Sequence, residues 1–479
     1  ETDAAFKAIQ MNALSSVSEA DQRRALSRAL DDPDGVALAE RLKDAQQQRQ
    51  TLRSELTIAL SQGQNAGTLQ GRLAGLDEQI DTLSRRFFAD GDTGALLGLS
   101  DLSDIQAALT DGEALLMPLT MFRAEALMIT NDAVYHSRGE RDSALIRESD
   151  RTFAETLSGD APITPDHPFL SELADGLFNQ VPMDTISHIN VVGALPASSV
   201  PLSLVQDPVE PDQFLGQRIS ITRLPSAAAL LRPEPAVDSM ARGFLGVGDP
   251  AFDGAPQETL LIASVGSLSP HTLMRSGEAD LMAIRALPRL PETRTEVSAI
   301  ADTLQTDNAT LLLGQDASEA SLRSLDLTRY GIISLATHGL LSGELNGLSE
   351  PALVLSPPAE GESDPTPQND GLLLASEIAE LDMDARLIML SACNSGQGMD
   401  TIVGLPQAFL TAGADALMVS RWPVRDDAAR FLSVETVKAM EAGQSPAESL
   451  RLAVNALRQS DLPNADDPRI FAPFEIVGR

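Results

Sequence analysis

The pattern of apolar and polar positions changes twice along the chain. Up to about residue 90, apolar residues recur at three- and four-residue spacing. Leu42, Leu52, Leu56, Ile58 and Leu60 form one series, and Leu69, Leu73, Leu76, Ile80 and Leu83 another. That period predicts helices. Gly63-Gln64-Asn65-Ala66-Gly67 separates the two series and predicts a helical hairpin. The Ala-rich residues 4–30 also predict helix, with a stop at Asp31-Asp32-Pro33-Asp34-Gly35. A plain helical spacer and the trailing part of a longer helical array fit these residues equally well.

Near residue 100 short apolar runs begin, at 114–119, 124–130 and 133–136, with Asn131-Asp132 as a hairpin turn. From about 185, runs at 188–192, 243–247, 310–313, 331–336, 387–390 and 416–420 alternate with helical stretches at 294–304, 318–325, 375–379, 405–412 and 427–442. Such alternation predicts an α/β fold, a mostly parallel sheet flanked by helices, with chemistry at the carboxyl ends of its strands. Residues 471–478 read as a last short strand. Residues 356–370 (SPPAEGESDPTPQND) and 460–468 read as loops, the first expected to be mobile. The expected domains are a helical segment at 1–90, an α/β half at 91–260 and a second half at 261–479.

Composition narrows the function classes. The chain has 479 residues, 43% hydrophobic and 22% charged, enough for a folded core in several domains. Its 35 basic against 69 acidic residues give a net charge of −34, which disfavours nucleic acid and anionic membrane as partners. No apolar run reaches the length of a membrane span. Lysine occurs only at Lys7, Lys43 and Lys438, and with many Ala, Leu and Asp this points to a GC-rich bacterial genome; the compartment expected is the bacterial cytoplasm. The chain begins at Glu1 and reads as a fragment or processed product, so a removed signal peptide stays open. H-E-x-x-H, G-x-S-x-G and phosphate-loop motifs are absent, and no metal or cofactor is expected. Gly243-x-x-Gly246-x-Gly248 lacks dinucleotide spacing, and Asp249-Pro250 interrupts any following helix.

Two strand ends carry the candidate chemistry. Gly331-Ile-Ile-Ser-Leu-Ala-Thr-His-Gly339 runs out into His338, and Arg386-Leu-Ile-Met-Leu-Ser-Ala-Cys-Asn-Ser-Gly396 runs out into Cys393, the single cysteine. On neighbouring parallel strands the two would emerge at one exposed edge, as a thiol nucleophile and its base require. The backbone N–H groups of Gly339 and Cys393 would then face the reacting oxygen. The spacing of 55 resembles the caspase arrangement. On spacing alone, a packed histidine and a small buried cysteine are the favoured reading. His136, His167, His188 and His271 stand in no such motif and are expected to pack or face solvent. Trp422 is expected to pack, or to wall a pocket.

Taken with Ser334-Leu-Ala-Thr-His-Gly339 and Leu390-Ser-Ala-Cys-Asn-Ser-Gly396, further motifs complete a pattern: Asp370-Gly-Leu-Leu-Leu-Ala-Ser-Glu-Ile378, Ser420-Arg-Trp-Pro-Val-Arg-Asp-Asp427 and Ala472-Pro-Phe-Glu-Ile-Val-Gly478. Softer matches are Arg223-Leu-Pro-Ser-Ala-Ala228, Gly246-Val-Gly-Asp-Pro250 and Leu290-Pro-Glu-Thr-Arg294. From about residue 110 onward the chain resembles the CHAT family, caspase-like cysteine peptidases related to separases. The resemblance implies that residues 1–90 end a tetratricopeptide-repeat array, 91–260 form a pseudo-protease-like half and 261–479 the caspase-like catalytic half. It implies an endopeptidase with a His338–Cys393 dyad and no third member, cutting a protein substrate, with a protein regulator acting through the N-terminal helices. Trp422-Pro-Val-Arg-Asp426 is similar to the separase pattern whose acid selects a basic residue before the cleaved bond, which nominates Asp426. Asp427 would instead start the next helix. Caspases proper read an acidic residue with Arg, which leaves Arg421 and Arg425 open. The alternative from another class is an inactive module serving as an interaction scaffold.

Overall fold

The computed structural model describes residues 99–391 and 404–479, apart from 120–122, 198, 233–241, 254–273, 276–277, 280, 305–307, 341–349, 359–365 and 367. Before residue 99 it describes Asp3, Phe6, Lys7, Ile9, Gln10 and Arg72. The expected hairpin over 42–83 lies outside the described residues, except for Arg72, which is helical.

Two compact units divide the chain, Glu1–Leu102 and Ser103–Arg479. In the first, Gln10 and Ser100 exchange hydrogen bonds: Nε2 donates to the Ser100 carbonyl at 2.8 Å, and the Ser100 N–H donates to Oε1 at 3.0 Å. Lys7 pairs with Asp3 at 3.2 Å and with Asp101. The Gln10–Ser100 and Lys7–Asp101 contacts join residues some ninety positions apart.

In chain order the second unit contains β1 (Glu113–Leu119), β2 (Arg123–Ile129), β3 (Val134–Asp142), α1 (Ser143–Ser158), α2 (Pro168–Phe178), β4 (His188–Val192), β5 (Ser220–Leu224) and β6 (Gly243–Pro250). A two-residue ribbon follows, β7 (Met274–Arg275) with β8 (Glu278–Ala279). Then come α3 (Pro291–Leu304), β9 (Ala309–Gly314), α4 (Glu319–Arg323), β10 (Tyr330–Ala336), β11 (His338–Leu340), β12 (Ala352–Val354), β13 (Leu372–Leu374) and α5 (Ala375–Ile378). The last elements are β14 (Leu387–Leu390), α6 (Gly404–Ala412), β15 (Ala416–Ser420), α7 (Asp426–Glu441), α8 (Pro446–Arg458) and β16 (Phe474–Gly478). The fold is mixed α/β, as the alternation predicts.

Eleven strands form one sheet in the order β3-β2-β1-β4-β5-β16-β15-β14-β10-β6-β9. β15, β14, β10, β6 and β9 are parallel neighbours, and β1, β4, β5 and β16 form a second parallel block. The blocks meet where β16 runs antiparallel to β15.

Burial explains the continuous apolar runs, because strands covered on both faces need no polar side. Every residue of β10, β14 and β15 is buried. Ile332, Leu387, Met389 and Met418 pack on one face with Ile300 of α3 and Leu432 of α7. Ile333, Leu335, Ile388, Leu390 and Val419 pack on the other with Leu322 of α4, Ile378 of α5 and Phe409 of α6. Each such side chain contributes about 1.5–3 kcal/mol over its exposed state. Gly413 makes the sharp turn into β15 at φ +116°, where a Cβ would lie 2.0 Å from the Met383 carbonyl oxygen.

The loop expected at 356–370 begins as packed chain. Ser356–Pro358 are buried, and the Ser356 hydroxyl donates to the Gly314 carbonyl at 2.7 Å. Its far end is held by Glu319, fully buried at the start of α4, whose Oε2 accepts the N–H groups of Asp370 (2.8 Å) and Gly371 (2.7 Å). Burial pushes this carboxyl up to about 7. A raised folded-state value means that the folded chain holds more protons than the unfolded one between pH 4.5 and about 7, so stability falls as pH rises through that window. The loss is about 3 kcal/mol. Glu319→Gln keeps an acceptor oxygen and removes the ionisation. Its melting temperature should exceed the parent's at pH 8 and lose that advantage at pH 4.5. An equal difference at both pH values would show that Glu319 does not titrate in this way.

Candidate active site

β10 and β14 are adjacent and parallel, with Leu335 opposite Leu390. Their carboxyl ends therefore share one edge of the sheet. β10 stops at Ala336, and the buried Thr337 hydroxyl donates to the Val354 carbonyl. His338 then opens β11, the first strand of a separate antiparallel sheet, β11-β12-β13. Gly339 continues that strand opposite Leu353. On the β14 side the last described residue is Ser391, and Cys393 lies outside the described residues.

His338 is not exposed at an open edge, as the strand-end reading expects, but is fully buried. Its Nε2 lies 2.9 Å from the carbonyl oxygen of Pro288, and the Phe252 ring stands 5.5 Å away, centroid to centroid, tilted by 36°. A carbonyl only accepts, so Nε2 carries the proton and Nδ1 is the basic nitrogen. Nδ1 is buried and has no hydrogen-bond partner among the described residues. Burial holds the imidazole below its ordinary value, and the Pro288 carbonyl partly offsets this. The result is a neutral histidine of fixed tautomer whose desolvated lone pair meets no donor among the described residues.

Beside it, at the end of β14, Ser391 donates to Glu296 Oε1 at 2.5 Å. Ser433 of α7 donates to the same oxygen at 2.8 Å. Glu296 is 4% exposed, and burial raises its carboxyl, opposed by the two hydroxyls. It fastens the root of the Ser391–Gly396 stretch to two helices.

Asp426 is the first residue of α7, half-buried, with no hydrogen bond or ion pair among the described residues. Burial raises its carboxyl, followed by Glu292 and Asp427, while Arg430 lowers it. The nearby arginines are engaged. Arg421, 6% exposed, pairs with Glu475 at 2.9 Å, and Arg425 pairs with Asp427 at 2.5 Å and reaches the Pro463 carbonyl. Trp422 donates to the Arg469 carbonyl at 2.9 Å and packs against the core.

The other described histidines have ordinary roles. His136 lies 3.5 Å from Glu125, His167 accepts from the Phe169 N–H at 3.3 Å, and His188 meets Ser220 at 2.9 Å. His271 lies outside the described residues. Among the described residues there is no cluster of side chains able to hold a metal ion, and no helix long and apolar enough to cross a membrane.

The Pro288 carbonyl, Phe252 and Glu296 are absent from the sequence reading. A backbone acceptor has no side-chain signature, although Pro288 does stand just before Leu290-Pro-Glu-Thr-Arg294. Gly246 and Gly248 have a packing reason: a Cβ at Gly246 would lie 2.9 Å from Val297, and one at Gly248 would lie 3.0 Å from the Thr293 carbonyl. They let α3 lie close on β6.

The chain belongs to the CHAT-domain family, whose model matches residues 168–479. It is 29% identical over 122 residues to Tetratricopeptide repeat protein 28 of Mus musculus, a match covering 25% of this chain and 5% of that protein. The Homo sapiens counterpart is 28% identical over 122 residues. The chain thus spans about 5% of the length of these curated relatives. Gingipain R, an Arg-specific cysteine proteinase, superposes with a TM-score of 0.37 at 10% identity, over 62% of this chain and 64% of its own. The Saccharomyces cerevisiae separase–securin complex gives 0.31 at 12% identity, over 91% and 27%.

Proposed function

We propose that the chain is a cysteine endopeptidase with Cys393 as nucleophile and His338 as base. The observation that carries this is the buried Nδ1 of His338 at the carboxyl end of β10, unpartnered among the described residues. The β10–β14 register supports the pairing. Leu335 lies opposite Leu390, and His338 and Cys393 each follow three residues later. Nδ1 takes the thiol proton, and the thiolate attacks the peptide carbonyl carbon. The N–H groups of Gly339 and Cys393 receive the oxyanion. The proton passes to the leaving amine as the C–N bond breaks, leaving an acyl-enzyme. Water, deprotonated by His338, then releases the acid and restores the thiol.

Asp426 selects a basic residue before the cleaved bond. It makes no ion pair among the described residues, with only the weaker pull of Arg430 on it, whereas Arg421 and Arg425 are held by acids and poorly placed to read an acidic side chain. Arg is preferred over Lys, because its fork matches the carboxylate. The substrate is a protein, and residues 1–90 are where a regulator binds. Full burial of His338 also suits a module that only binds, so thiol reactivity is the deciding test. Cys393 should react with iodoacetamide at pH 7 faster than an ordinary thiol. A rate no faster than that, with no cleavage of any peptide, would favour the scaffold.

In a peptide library, cleavage should follow Arg, and Asp426→Ala should slow it at least about tenfold, equivalent to roughly 1.4 kcal/mol. Because the Asp426 carboxyl is raised, the Arg preference should fade on acidification earlier than an exposed aspartate would allow. Cleavage after Asp alone would reverse the assignment.

A further inference from the structure

Asp249 sits at the carboxyl end of β6, the strand beside β10, and is 1% exposed. Its φ is +45°, a left-handed value that a side chain other than Gly adopts at a cost and that Asp and Asn tolerate best. Its N–H donates to Thr293 Oγ1 at 2.8 Å. Both carboxylate oxygens accept from Arg289 Nη2 at 2.9 Å, and Oδ2 also accepts from Arg294 Nε at 3.1 Å. One buried carboxylate thus fixes the residue after Pro288 and the first turn of α3.

The other side of Asp249 leads directly to the ring of His338. Pro250 and Ala251 separate it from Phe252, and the Ala251 N–H donates to Ser356 Oγ at 2.8 Å. Two groups hold the imidazole, the Pro288 carbonyl at its edge and Phe252 beside its face. The first adjoins a residue clamped by Asp249, and the second follows Asp249 by three positions. The left-handed turn aims the chain at Phe252, and the carboxylate pins the Pro288 segment.

We infer that Asp249 is a positioning residue that sets the tautomer and orientation of His338 through Arg289–Pro288 and through Phe252. The inference rests on the reading of His338 as the base, but its first test does not depend on cleavage. Among the described residues, the polar partners of Asp249 are Thr293, Arg289 and Arg294 and not His338, so it acts through the Pro288 carbonyl and Phe252. Arg289 and Arg294 are each close to half-exposed, so water can solvate them if the carboxylate is lost, and the fold should survive.

The test uses Asp249→Asn, which tolerates the same φ, and Arg289→Ala, which opens the clamp without touching the turn. Histidine-selective ¹⁵N NMR of the full chain, with His338→Gln to assign the signal, reads the tautomer directly. The parent should show Nε2–H at His338, and both variants should show a mixture of tautomers at an unchanged melting temperature. For peptide cleavage, kcat should fall about tenfold in either variant with KM unchanged, and the double variant should be no worse than the singles. A His338 signal identical to the parent's in both variants would overturn the inference. If the parent cleaves nothing, the endopeptidase reading fails, while the NMR result still decides whether Asp249 holds the ring.

Discussion

Cys393→Ala eliminates peptide cleavage, at least about ten-thousandfold and down to the assay background, and leaves the fold in place. The thiolate is the only group in the proposed mechanism that forms a bond to the substrate carbon, and no other cysteine exists to replace it. Backbone donors at Gly339 and an acid at Asp426 stabilise and select, but they do not attack. Losing one sulfur at a site residue should cost within about 1 kcal/mol. Cleavage rate and thermal melting of parent and variant check both halves of the expectation. A variant that still cuts the parent's substrates at the parent's rate moves the nucleophile elsewhere. One that unfolds would mean that Cys393 serves as a packed core residue.

His338→Gln should lower kcat/KM by about a hundredfold to ten-thousandfold, the span that general-base assistance supplies. Gln can still donate to the Pro288 carbonyl, so the loss reports the missing base more than a missing contact. Alkylation of Cys393 should slow in parallel, and its pH dependence should move toward that of a free thiol, near 8.5. Burial sets the sign of the pH effect in the parent. The imidazole is held below 6.5, so the neutral base persists under mild acid, and the acid limb of kcat/KM should fall below pH 6.5. Stability follows the same sign, since charging a histidine that is neutral in the fold disfavours the fold as pH drops from 6.5. A His338→Gln protein with full activity would exclude the imidazole from the reaction.

Much of the sheet is legible in the sequence because its central strands are apolar without interruption. The runs at 387–390 and 416–420 coincide with β14 and β15 for that reason. β5 escapes the same reading. Its sequence, SITRL, carries a part-buried arginine, Arg223, held by the Gly193 carbonyl at 3.1 Å and by Glu475, 3.6 Å away and more than two hundred positions onward. A polar residue whose partner is that distant gives no local signal. At the candidate site, strand–helix alternation predicts parallel strands, but the adjacency of β10 and β14 enters the sequence reading only as a condition, and the surroundings of His338 do not enter it. Its acceptor is a main-chain oxygen, and its cover comes from Phe252, brought there by a left-handed aspartate. Neither leaves a pattern in a string of residue types.

β16 lies between β5 and β15, so a segment near residue 476 zips residues near 222 to residues near 417. Pairings of such long separation form late and slowly in folding. Until they form, β5 and β15 present open edges to which another chain could add. Once formed, they make the sheet indifferent to the continuity of the backbone between its two blocks. A cut in a connecting loop between β6 and β14 would leave one fragment carrying β5 and the other carrying β16, still hydrogen-bonded to each other. A chain nicked in the middle would therefore still have its two pieces joined through the sheet.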